Sequence, residues 1–196
     1  MQKPRRGNFS QQRRMRSMVS RGLAAGDGEA TIEPNGGMFG GGVIRGFAVV
    51  TRGEALGHGY WLDNEFVEST RDGLATLQAS NNKGAKARFT HPGLSADGLG
   101  KNLGRARDGY ADGGDIFRAD LHLSKTAQQT PDGNLAGYVM ELAEEDPEAF
   151  GASIVYEPDW GEEEKFAALN KDEGGNFQSP DPLNVKNLPH ARLAKL

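Results

Sequence analysis

Four histidines (His58, His91, His122 and His190) and no cysteine bound the chemistry open to this 196-residue chain. Without thiols there are no disulfides, no thiolate metal sites and no cysteine nucleophile. Covalent catalysis would then rest on a hydroxyl beside an imidazole, because serine is a poor nucleophile until a base takes its proton. Ser153 stands out. Its flanks, Phe150-Gly151-Ala152 and Ile154-Val155-Tyr156, are the small, β-branched and aromatic residues of a core strand. A hydroxyl buried there without a partner costs about 1–3 kcal/mol, so Ser153 either hydrogen-bonds locally or serves chemistry. His91 closes the short strand "KARFTH" and precedes Pro92-Gly93, where a side chain commonly projects into the mouth of a site. A histidine ahead of its serine is an admissible order, since serine triads occur in several chain orders. On these residues alone, a locally satisfied serine and a structural histidine are the favoured readings.

Other chemistries fit less well. "GASIV" lacks the glycine two residues after the serine that a nucleophile elbow needs, which excludes an α/β-hydrolase. Asp120 and His122 share one face of a strand, and His91 could join them. There is no His-Glu-x-x-His helix and no calcium loop, so neither a metal nor another cofactor is expected. "GGMFGGG" precedes a strand instead of joining strand to helix, the wrong setting for phosphate.

The elements that position these residues follow from periodicity. "GVIRGFAVVTRG" is apolar on both faces, as in a central strand. Residues 62–80 carry Phe66, Val67, Thr70, Leu74 and Leu77 at helical spacing behind Asp63 or Asn64 as cap. "LGRARDG" predicts a strand and "YADGG" a turn. "DIFRADLHLS" alternates, with Phe117, Ala119, Leu121 and Leu123 inward. Residues 135–145 form a second helix, and Asp146-Pro147 starts a further helical turn. Strands interspersed with two helices, without regular alternation, predict an α+β fold: a mostly antiparallel sheet or small barrel with packed helices.

Composition sets the organisation. The 28 glycines and nine prolines signal many turns, and the mean hydropathy is −0.63. No apolar run approaches the length of a membrane span, and no apolar stretch follows the basic start as a secretory signal would. Residues 1–22 carry Lys3, Arg5, Arg6, Arg13, Arg14, Arg16 and Arg21 and no acid. The rest holds 16 basic against 27 acidic side chains, a balance of −11 beneath a total of −4. Such an arm suits an acidic partner, a solvated tail or an organelle transit peptide. No nucleic-acid-binding motif follows it, so nucleic acid is not an expected partner. The expected units are a basic, glycine-rich disordered arm (1–42), a core (43–157), an acidic surface excursion (158–187) and the start of a last core element (188–196).

Three blocks, "ARFTHPGLSADGLGKNLGRARDG", "GDIFRADLHLS" and "LAEEDPEAFGASIV", resemble in order those of the prohead proteases of tailed bacteriophages. The resemblance covers residues 43–157 and implies a fold like herpesvirus assemblin, a small β-barrel with surrounding helices. It implies a serine endopeptidase with His91 as general base and Ser153 as nucleophile, needing no cofactor. Substrates would be scaffolding and major capsid proteins and the chain itself, inside the immature capsid in the host cytoplasm; a homo-oligomer is compatible with this. Related phage enzymes orient the base with a carboxylate on a strand after a segment like "LPHARLAKL", where this sequence stops. His190 then stands in as third member in the herpesvirus manner, with His122 a fainter choice, and amides near Arg192 would form the oxyanion hole. The alternative is a truncated or inactive assembly protein that docks on capsid or scaffold.

Overall fold

The computed structural model describes residues 30–89, 101–147 and 150–196 and, for residues 16–22, the backbone. The strands are β1 (Arg16–Gly22), β2 (Thr31–Glu33), β3 (Gly40–Thr51), β4 (Gly53–Ala55), β5 (Tyr60–Leu62), β6 (Ala85–Phe89), β7 (Lys101–Asp112), β8 (Ile116–Ser124), β9 (Gly151–Pro158) and β10 (Leu193–Lys195). The helices are α1 (Asn64–Asn81), α2 (Leu135–Glu145) and α3 (Trp160–Leu169). Five strands form an antiparallel sheet in the order β2-β3-β8-β7-β6. On β9, β1 and β10 both pair antiparallel, while β4 and β5 make a hairpin. The chain is therefore α+β and mostly antiparallel, as expected. Among the described residues, however, the strands do not close into a barrel.

Burial on both faces makes β3 the spine of the sheet, as its apolar sequence requires. Its ladder with β8 slips between Ile44 and Phe47, and Gly46 there has φ 67°, a conformation that a Cβ would resist. The bulge leaves the Gly46 peptide groups off the ladder, and β8 side chains take them up. Gly46 N donates to Asp120 Oδ1 at 3.0 Å, and Arg118 Nη1 donates to Gly46 O at 3.0 Å. This corrects the simple alternation expected of β8: Arg118 and His122, on its polar face, are as buried as the apolar face. A buried peptide group needs a partner, and here charged side chains supply it.

Asp63 caps α1 by accepting from Phe66 N at 3.0 Å, and the helix buries Phe66, Val67, Thr70 and Leu74. Phe66 meets Tyr156 of β9 edge-on at 5.1 Å between ring centres, and both are fully buried. This contact locks α1 to the strand that carries Ser153. Asn134 caps α2, and the helix has the bounds its apolar stripe predicts. Asp146 serves as the C-cap of α2, its amide reaching Leu142 O at 2.9 Å, and the helical turn expected after it falls in part on residues 148–149, outside the described residues.

Two stretches expected to lack regular structure contain it. β1 and β2 lie within residues 1–42, and α3 lies within the acidic excursion. The excursion is also tied down. Asp181 is buried and accepts from Arg52 Nε at 3.0 Å, Arg52 Nη2 at 2.8 Å and Trp61 Nε1 at 2.8 Å. The last segment is ordered as well, with β10 pairing Leu193 to Pro158 on β9.

Candidate active site

Ser153 sits in a strand, as its flanks predict, but it is not in the core. On β9 the side chains of Ile154 and Tyr156 are buried, while Ser153 and Val155 are exposed. The period of two puts the hydroxyl on the open face, opposite Val19 of β1. The supposed cost of burying that hydroxyl therefore does not arise. His91 lies outside the described residues; the strand leading to it, β6, ends at Phe89.

His190 is buried, with 1% of its side chain exposed, and both ring nitrogens have partners. Nδ1 lies 2.6 Å from Asp63 Oδ2, and Nε2 lies 2.8 Å from Ser179 Oγ. Burial pushes the Asp63 carboxyl up. The His190 hydrogen bond, the Arg192 charge and the Phe66 amide outweigh that and hold it below the usual carboxylate range. An ionised Asp63 can only accept, so Nδ1 carries the proton, and in the neutral ring Nε2 accepts from Ser179. Asp63, His190 and Ser179 thus have the bond order of a charge relay. They also fit a structural clamp. Asp181 N donates to Ser179 Oγ at 3.2 Å, Arg192 Nη1 lies 3.0 Å from Asp63 Oδ2, and Phe166 stacks on the imidazole at 4.6 Å.

The role expected of His190 would need one of these ring nitrogens for His91. Among the amides near Arg192 expected to form an oxyanion hole, Arg192 N donates to Glu163 Oε1 at 3.1 Å and Ala191 N to Trp61 O at 3.0 Å. Neither Asp63 nor Ser179 was legible as a partner of His190. Asp63 reads as a helix cap, which it is, and nothing local marks its second oxygen.

Asp108, Asp120 and His122 bring three ligand-type atoms within 4.8 Å of one another. His122 Nδ1 accepts from Met38 N at 3.0 Å, so in the neutral ring Nε2 carries the proton. A metal on Nε2 would need that proton gone and the Met38 contact kept, whereas ligating histidines normally donate through their other nitrogen. The carboxylates are engaged too, Asp120 with Arg45 at 2.7 Å and Asp108 with Arg107 at 3.1 Å. The donor set does not fit a divalent cation. Burial pushes the His122 imidazole down despite Asp120 and Asp108, which favours the neutral ring. Nε2 has no hydrogen-bond partner among the described residues, and Asp108 Oδ2 lies 3.6 Å away.

No protein-family model matches the chain, and neither a search of curated proteins nor one of solved structures finds a match.

Proposed function

We propose that the chain is a serine endopeptidase of the prohead-protease kind, on an assemblin-like scaffold, with Ser153 as nucleophile and His91 as general base. The observation that carries this reading is the outward placement of Ser153 on β9, while its neighbours Ile154 and Tyr156 anchor the strand in the core. A nucleophile must be reachable by a bulky acyl substrate yet held rigidly, and this strand provides both. Support from the sequence is the order of the three blocks around His91 and Ser153.

As Ser153 Oγ adds to the scissile carbonyl, His91 takes the hydroxyl proton. The C–N bond then breaks, His91 returns the proton to the leaving amine, and an acyl-enzyme remains. Water repeats the sequence and releases the carboxylic acid. Substrates are scaffolding and capsid-protein extensions and the chain itself, met inside the immature capsid in the host cytoplasm.

A second reading places the chemistry at Ser179, favoured by its 2.8 Å contact with His190 and the 2.6 Å contact onward to Asp63. One experiment separates these readings from the non-enzymatic docking protein: labelling with a fluorophosphonate, followed by peptide mapping. A label on Ser153, lost in Ser153→Ala together with cleavage of co-purified scaffold and capsid proteins, supports the first reading. A label on Ser179 moves the site there. Binding of those proteins with no label and no cleavage supports docking alone.

A further inference from the structure

The strand beside Ser153 belongs to the basic arm. β1 runs antiparallel to β9 with Arg16 opposite Tyr156, Ser17 opposite Val155, Met18 opposite Ile154 and Val19 opposite Ser153. The register then slips, so that Gly22 meets Gly151. β1 is an edge strand, with no further strand beyond it among the described residues. An extended segment added to a sheet edge is how many peptide-binding domains hold their ligands: main-chain hydrogen bonds give affinity, and side-chain positions give selectivity. We propose that the β9 edge beside Ser153 is a docking site for an extended basic peptide, and that residues 16–22 fill it in cis, as a competitor that an incoming substrate strand must displace. This rests on Ser153 being the nucleophile, and it adds the form and charge of the substrate and a restraint on the site.

Charge supports the choice of ligand. The arm has seven basic residues and no acid within residues 1–22. Arg16 stands at the end of β9 that leads into Glu157, Asp159, Glu162, Glu163 and Glu164, and Arg13 and Arg14 precede it in sequence. A basic strand in this direction brings its most cationic part toward the acidic end of β9, whereas an acidic strand would meet like charge. The register slip interrupts the ladder, and an edge strand has a ladder partner on one side only. Strands of that kind open at low free energy and can exchange with a competitor.

The test uses the full chain, its Val19→Pro variant and two synthetic peptides, residues 12–22 and the same peptide with each arginine changed to glutamate. Proline lacks the N–H for the ladder, and the substitution changes no residue of β9 itself. Two quantities are followed: hydrogen exchange of the 151–156 amides, and the rate at which fluorophosphonate modifies Ser153. In that reaction a P–F bond breaks, an Oγ–P bond forms, fluoride leaves and the hydroxyl proton passes to the base. If β1 holds the edge nine-tenths of the time, Val19→Pro speeds modification about tenfold. It also exposes the β9 amides, and the basic peptide, but not the acidic one, reverses both effects and slows the wild-type chain further. Faster exchange with an unchanged rate of modification overturns the competitor role. Exchange that neither Val19→Pro nor the peptides alter overturns the docking site itself. If Ser153 is modified in no form of the protein, the nucleophile reading fails, and the exchange data alone decide whether the edge binds a basic strand.

Discussion

Asp63 and His190 are joined by a 2.6 Å hydrogen bond across 127 residues of chain, and the same carboxylate caps α1 through its other oxygen. Removing it should cost more than a cap. Asp63→Ala loses the cap, worth about 1 kcal/mol, and leaves His190 Nδ1 without its acceptor, at about 1–3 kcal/mol more, while Arg192 keeps Ala191 O and Glu65. Asp63→Asn keeps an oxygen for Phe66 N and should lose less. Urea unfolding of the two variants gives the order; equal losses would mean that the cap oxygen retained in Asp63→Asn contributes nothing.

Acid should weaken the same junction. The folded pKa of Asp63 lies below its unfolded value of about 3.9. The contribution is therefore complete above the unfolded pKa and is lost as pH falls through the folded one. The stability gap between wild type and Asp63→Asn should narrow from pH 5 to pH 2.5 in chemical denaturation. A constant gap across that range would contradict the shift.

His122 should act in a milder window. Burial holds its folded pKa below the unfolded value of about 6.5, so the unfolded chain binds the extra proton and stability falls as pH drops through that value. His122→Asn offers an oxygen for Met38 N but cannot titrate. Its unfolding midpoint should be flatter than that of wild type between pH 7 and pH 5, and identical slopes would rule this contribution out.

Asp181 fastens the excursion to the hairpin. Asp181→Ala removes the acceptor of the Trp61 indole and of Arg52 Nε and Nη2, while Arg52 Nη1 keeps Asp115, a loss of about 2–3 kcal/mol. Amide exchange in residues 178–187 should quicken well before the β3–β8 ladder opens. Uniform acceleration across the chain would instead mark the clamp as part of one global unit.

Much of this architecture is legible where one local pattern decides. α2 has its predicted bounds because Leu135, Val139, Leu142, Met140 and Ala143 keep helical spacing with Asn134 ahead of them. α3 is hard to read from sequence because Gly161 and the acidic run 162–164 resemble a solvated turn, and the helix buries no residue fully. Its signal was present in Asp159, which accepts from Glu162 N at 3.0 Å. At β9 the strand is readable, but its sequence does not separate the buried from the open face: apolar neighbours stand on both sides of Ser153, which shares the open face with Val155. The burial of Arg118 and His122 depends on the bulge at Gly46 and on Met38, which no pattern within β8 encodes.

The Asp63–His190 pairing also carries a consequence for biosynthesis. At about 5–20 residues per second, the 127 residues between them take roughly 6–25 s to translate. During that interval α1 has its cap, but the second oxygen of Asp63 lacks its imidazole and guanidinium. The nascent helix must then keep this carboxylate hydrated and delay full burial of the α1 start until Leu188–Arg192 arrives. Ordering of this corner is thus timed by the ribosome, and the residues that seal it are among the last of the segment to be made.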